Sequence, residues 1–141
     1  MYAISTDGPA RLIEVKLSGL LSLDELNELR AAMHATLRRH GFRPGTFLLL
    51  MDSTENPIQP REVHESLSSF GFDADIMPAR IAIWTGNSPS RMQARRAEAE
   101  CPMRLFRQRD EALTWLTATT WRDAAAAARD FDDARRVGWA A

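Results

Sequence analysis

The apolar run Phe47-Leu48-Leu49-Leu50-Met51, opened by Thr46 and closed by Asp52, restricts this chain more than any other segment. It is too short for a helix that packs by itself, and it lacks the alternation of a strand with one wet face. What remains is a strand buried on both sides. Such a strand sits inside a sheet with a layer on each face, and strands alternating with helices are the common way to build one.

The rest of the sequence supplies those layers. Residues 2–6 read as a first strand and Asp7-Gly8-Pro9 as a turn. Ile13, Val15 and Leu17 alternate with Glu14 and Lys16, the period of a strand with one side in the core. The two strands are expected to pair as a hairpin. Ser22 and Glu25 then form a capping box, with Leu21 and Leu26 placed as its hydrophobic staple. Leu26, Leu29, Met33 and Leu37 make one helical stripe. Arg38, Arg39 and His40 suit the negative end of that helix, and Gly41 supplies its left-handed stop.

Beyond the central strand, Gln59-Pro60 opens a second helix with Val63, Leu67 and Phe70 on one face, ending at Gly71. Residues 80–85 form a strand, Gly86-Asn87 turns, and Ser88-Pro89 starts a third helix reaching about Glu100. Cys101-Pro102 breaks it. Residues 103–106 are a short last strand, and Asp110-Glu111 open a helix that buries Ala112, Trp115 and Leu116. The order β-β-α-β-α-β-α-β-α predicts an α/β fold: a mostly parallel sheet of about five strands with right-handed crossovers, the first strand antiparallel at an edge.

The chain has 141 residues, the size of one domain. Its character changes after Ala118. The expected division is a domain over residues 1–118 and a C-terminal helical extension over 119–141. Trp121, Ala125, Ala128 and Phe131 sit there at helical spacing, with Val137 and Trp139 beyond. This extension could pack on its own domain or serve as a homodimer arm. Asp123, Asp130, Asp132 and Asp133 on its polar side argue against membrane contact.

Composition removes several function classes. Hydrophobic residues at 45% and charged residues at 26% exclude a wholly disordered chain. A net charge of −1 provides no global attraction to nucleic acid or an anionic membrane. Cys101 is the sole cysteine, so neither an intramolecular disulfide nor a cysteine-rich zinc site can form. No apolar run approaches the roughly 20 residues of a membrane span. Residues 1–8 lack the basic start and apolar stretch of a signal peptide, so a cytoplasmic location is expected.

Chemistry in an open α/β sheet gathers beyond the carboxyl ends of the strands. Asp52, Ser53, Thr54 and Asn56 follow the third strand; Thr85, Gly86, Asn87, Ser88 and Ser90 follow the fourth. If those strands are neighbours, the two segments face each other across one crevice. Free N–H groups at the helix starting at Ser88, with Arg91 in its first turn, could hold a phosphate or carboxylate. The ligand-binding candidates are Asp52, Ser53, Thr54, Thr85, Asn87, Ser88 and Arg91. Asp52 could act as a base, a metal ligand or a phosphate acceptor, or accept N–H bonds in an Asx-type turn of its own loop.

No catalytic residues are assigned. No G-x-S-x-G elbow surrounds any serine, His34 and His40 do not share a helix face, and His64 points sideways from the core. No metal and no cofactor is expected. Arg91, Arg95, Arg96, Arg104, Arg107 and Arg109 make a basic stretch without a nucleic-acid motif, which reads as a solvated face.

Taken together, these pieces resemble the SpoIIAA-like branch of the STAS domains, the fold of anti-sigma-factor antagonists. The carrying residues are 11–29, Phe47 to Asp52, Arg80-Ile81-Ala82-Ile83-Trp84-Thr85-Gly86, Arg104-Leu105-Phe106 and Glu111-Ala112-Leu113-Thr114-Trp115-Leu116. The resemblance covers residues 2–117 and is related to the CRAL-TRIO lipid-binding fold. It implies a regulatory or binding role without catalysis. In the antagonists a serine at the start of the helix after the third strand, within an Asp-Ser-Ser-Gly-type motif, is phosphorylated by a partner kinase. This sequence has Ile58-Gln59-Pro60-Arg61-Glu62 there, which leaves Ser53 and Thr54 as fallback acceptors.

The expected function is a module binding a protein partner, or a small anionic or amphipathic ligand, at the strand-end crevice. The alternatives are a small hydrolase or transferase using Asp52 and nearby serines, and a self-associating dimer. An enzyme should have a deep pocket with a carboxylate of raised pKa. A partner-binding module should have an exposed apolar patch.

Overall fold

A computed structural model describes residues 1–70, 73–87, 89, 91 and 103–118, with backbone alone at 68–70. The elements are β1 (Tyr2–Asp7), β2 (Leu12–Ser18), α1 (Leu23–His40), β3 (Leu48–Glu55), α2 (Arg61–Phe70), β4 (Arg80–Trp84), β5 (Met103–Phe106) and α3 (Arg109–Thr117). The third helix expected from Ser88, the extension over 119–141 and Cys101 lie outside the described residues.

The strands form one sheet in the order β1-β2-β3-β4-β5. β1 is antiparallel to β2 at the edge, and β2 to β5 are parallel. Because the order advances one strand at a time in one direction, right-handed crossovers place α1 and α2 on the same face. Leu26, Leu29, Met33 and Leu37 of α1 and Val63 of α2 pack there on Ile13, Val15, Leu17, Leu49, Ile81 and Ile83. α3 follows the last strand and takes the opposite face, where Ala112 and Leu116 meet Leu48, Leu50 and Ala82. Leu49 and Leu50 are 1% and 0% exposed, so the apolar run of β3 is buried on both sides as its sequence requires.

α1 carries its expected punctuation. Ser22 Oγ accepts the Glu25 N–H at 3.1 Å, and Leu21 and Leu26 are buried beside it. Gly41 closes the helix at φ 66°. The carbonyl of Pro60 accepts the first bond of α2, from His64 N–H at 2.9 Å. Trp115 departs from expectation, being only half-buried. The stripe that α3 buries is Ala112 and Leu116, four residues apart, and Trp115 is rotated about 100° from Leu116. Its ring packs at the margin of the apolar cluster that those two join, beneath Arg80 (4.8 Å to the centroid) and Arg104 (5.6 Å). Arg80 also donates to the Trp115 carbonyl at 3.1 Å.

Candidate functional site

β3 runs past Met51 to Glu55, so Asp52, Ser53 and Thr54 belong to the strand and not to a loop after it. The ladder extends them: β2 continues alongside, pairing Lys16 with Asp52 and Ser18 with Glu55 across a register shift. β4 pairs Trp84 with Asp52 on the other side.

Asp52 is 6% exposed. Its Oδ1 accepts the Thr54 N–H at 3.0 Å and the Thr54 hydroxyl at 2.7 Å, the Asx-type arrangement. Two cations stand near it. Lys16 pairs with Glu55 at 2.8 Å; that hydrogen bond and charge hold the ammonium above its ordinary pKa, and Asp52 adds to the effect. Arg109, in the first turn of α3, pairs with Glu14 at 2.9 Å, which raises its guanidinium pKa against the opposing effect of burial.

Ser53 is buried at 4% exposure, and Thr54 is half-buried with its hydroxyl engaged by Asp52. Thr85 is fully buried. Its N–H donates to the Phe106 carbonyl at 2.9 Å, and its Oγ1 accepts from Arg91 Nη1 at 2.6 Å. The expected crevice between the two segments is in part a contact: a Cβ on Gly86 would lie 3.5 Å from Thr54 Cγ2. Asp52 and Thr54 thus brace the end of β3, and Thr85 ties the end of β4 to β5 and to Arg91, so the two braced ends lie side by side. Asn87 is exposed beyond them, and Ser88 lies outside the described residues.

Beside these braced ends is a device that sequence reasoning did not find. Gln59 is 4% exposed. Its amide oxygen accepts the Leu21 N–H at 3.0 Å, and its amide nitrogen donates to the Gly19 carbonyl at 3.0 Å and to Asn56 Oδ1. It clamps the β2–α1 connection to the β3–α2 connection. Gly19 N–H also reaches the Glu55 carbonyl at 3.4 Å.

The clamp holds apolar side chains outward. Leu20 is 67% exposed, Ile58 60%, Leu23 42% and Met1 74%. Among the described residues, the large hydrophobics left exposed gather at this one end of the sheet. Met1 joins them because its backbone exchanges bonds with Ser18. The sequence did carry a signal: Leu20 and Ile58 fit neither a strand period nor a helix stripe, and Ile58 stands between Pro57 and Pro60. Among the described residues no three His, Cys, Asp or Glu side chains gather to hold a metal ion. No helix among them is long and apolar enough to cross a membrane.

The SpoIIAA-like family matches residues 12–117. The chain belongs to the SpoIIAA-like family. This SpoIIAA-like chain is similar in structure to an anti-sigma factor antagonist from Mycobacterium paratuberculosis, with a TM-score of 0.54. The likeness covers 82% of this chain and 94% of that one at 14% identity, and at that identity it is a likeness of fold. No curated protein matches in sequence. In this SpoIIAA-like domain the segment Ile58-Gln59-Pro60, at the place where the resemblance implies a phosphoacceptor, supplies an exposed apolar side chain and the buried clamp.

Proposed function

We propose that this chain is a regulatory protein-binding module that seats its partner on the rim of Leu20, Leu23 and Ile58. The gathering of these exposed apolar side chains at one sheet end carries the reading. Scattered exposed leucines are ordinary, whereas a cluster held by a buried clamp is the mark of a docking surface. The family and the anti-sigma factor antagonist likeness support a protein as the partner. Asp24 and Glu62 are exposed next to Leu23 and along the same end, which favours a partner with a basic periphery.

The test is binding of the full chain to the anti-sigma factors of its own genome, measured by calorimetry. Leu20 and Ile58 each offer about 1.5 kcal/mol on burial. The double variant Leu20→Asp/Ile58→Asp is therefore expected to weaken binding about 100-fold. Its unfolding midpoint should stay put, since both side chains are exposed. Undiminished binding by the double variant would remove the rim from the interface.

A further inference from the structure

β1 is the end strand of the sheet, and among the described residues its outer edge is unpaired. Met1 and Ser18 exchange both backbone hydrogen bonds, at 2.8 and 2.9 Å. In an antiparallel ladder such pairs alternate. Ala3, Ser5 and Asp7 therefore turn their N–H and C=O groups to β2, and Tyr2, Ile4 and Thr6 turn theirs away. No group among the described residues meets those outward donors and acceptors. β1 also lacks the usual protections of an edge: it has no proline, no lysine and no bulge, and its register runs unbroken from Tyr2↔Leu17 to Asp7↔Leu12. Its side chains Tyr2 and Ile4 are half-buried against the α1 layer.

α1 lies along the same edge and parallel to β1. The Met1 amine meets Glu25 at 2.9 Å at one end, and Gly8 lies against His40 at the other. Ile4 is about 10 Å along β1 from Met1 at ~3.3 Å per residue. At ~1.5 Å per residue, the matching level on α1 falls near Ala32. Arg30 faces α2, where it donates to the Ser66 carbonyl at 3.2 Å, and Leu26, Leu29, Met33 and Leu37 face the sheet. Helical phase then turns Glu25, Glu28, Ala32, Ala35 and Arg39 toward the free edge.

We propose that two copies of this chain pair through β1 about a two-fold axis at Ile4, joining their sheets into one and laying the two α1 helices antiparallel. In that register Ile4 meets its own copy and Tyr2 meets the partner's Thr6, each pair exchanging both backbone bonds. Ala3 falls opposite the partner's Ser5. The only charge in β1, Asp7, is kept about 20 Å from its copy. Each helix sits over its own β1–β2 pair, so the two come about 10 Å apart, with small Ala32 at the axis. The acidic first turn of α1, with Glu25, lies across from the partner's Arg39 in the basic last turn. This double match of backbone register and helix charge selects a second copy over an unrelated strand. Because the strands pair antiparallel, the two apolar rims point to opposite ends, so the dimer does not depend on the rim's role.

The test is sedimentation velocity of the full chain over a concentration series, expected to show a dimer. Ile4→Pro deletes an outward N–H without touching the β2 ladder, and Ala32→Arg sets like charges at the axis. Each should weaken the dimer at least about tenfold while circular dichroism stays native. Phe131→Asp in the C-terminal segment should leave the dimer intact. In a Cys101→Ser background, Ala3→Cys/Ser5→Cys should cross-link copies on oxidation, since directly opposed non-hydrogen-bonded residues suit a disulfide. A monomer at every concentration overturns the proposal. So does a dimer that survives both edge variants, one that Phe131→Asp abolishes, or a native double-cysteine variant that fails to cross-link.

Discussion

Gln59→Leu removes the clamp at the rim while keeping a side chain of comparable bulk, so its effect reads chiefly the lost hydrogen bonds. Gln59 is 4% exposed and serves Leu21 N–H, the Gly19 carbonyl and Asn56 Oδ1. The bond from Leu21 N–H is buried, and leaving that donor unmet costs about 1–3 kcal/mol. The bond to the Gly19 carbonyl is only part-buried, so water recovers much of it and the loss there is about 1 kcal/mol or less. Burying a leucine in place of the amide returns about 1 kcal/mol. The bond to Asn56 Oδ1 is buried as well and adds about 1 kcal/mol, so the net expectation is a loss of about 1–4 kcal/mol in urea unfolding followed by tryptophan fluorescence, with an unchanged slope. A local signature accompanies it: the Leu21 amide should exchange faster in the native state than in wild type. A loss under about 0.5 kcal/mol with Leu21 protection intact would refute the clamp, because an unmet buried donor cannot be that cheap.

Other expectations follow from the same geometry. Gly41→Ala should cost about 1–2 kcal/mol in urea unfolding from backbone strain alone, since φ is 66° and a Cβ there would have nothing within 4 Å. Leu50→Ala should cost about 2–5 kcal/mol, because Leu50 is fully buried beneath α3 and its removal leaves a cavity there. Glu25 has its pKa lowered, chiefly by the hydrogen bond from the Met1 amine. A depressed folded pKa contributes stability above the unfolded value that is lost as pH falls through the folded one. The difference in unfolding midpoint between wild type and Glu25→Gln should therefore be present at neutral pH and close as pH drops below the ordinary carboxylate range. A gap that persists in acid would place the effect elsewhere.

What was legible in the sequence was local. The run at β3, the box at Ser22 and Glu25, and the stop at Gly41 each act within a few residues, and each appears where the pattern placed it. What was not legible depends on distant partners. Asp52 to Glu55 look like a loop by composition and are strand because Lys16 and Ser18 run alongside. Gln59 reads as a helix opener, yet its partners at Leu21 and Gly19 are 38 and 40 residues away. Arg91 reads as a group for holding a phosphate or carboxylate, yet it donates to the hydroxyl of Thr85, just past the end of β4. Trp115 continued an apolar run, but only the docking angle of α3 decides which side of the helix is covered.

These distant ties also bear on the proposed role of the rim in recognition. Loops at strand ends are ordinarily the mobile part of an α/β domain, and a mobile apolar patch loses much of its binding energy to ordering. Here the strand ends below are braced by Asp52 on Thr54 and by Arg91 on Thr85, and the connections are braced by Gln59. Pro57 and Pro60 further restrict the segment that presents Ile58. On the proposed reading, the polar residues at the carboxyl ends act by holding apolar ones still. On this argument Gln59→Leu should weaken partner binding even in the folded protein, because Leu20 and Ile58 would have to be ordered on contact. Freeing two such side chains and their backbone costs about 1–3 kcal/mol, or roughly 5- to 100-fold in affinity. The same variant measured by calorimetry should show that loss as a less favourable entropy. Wild-type affinity in a folded Gln59→Leu protein would mean that the rim needs no clamp.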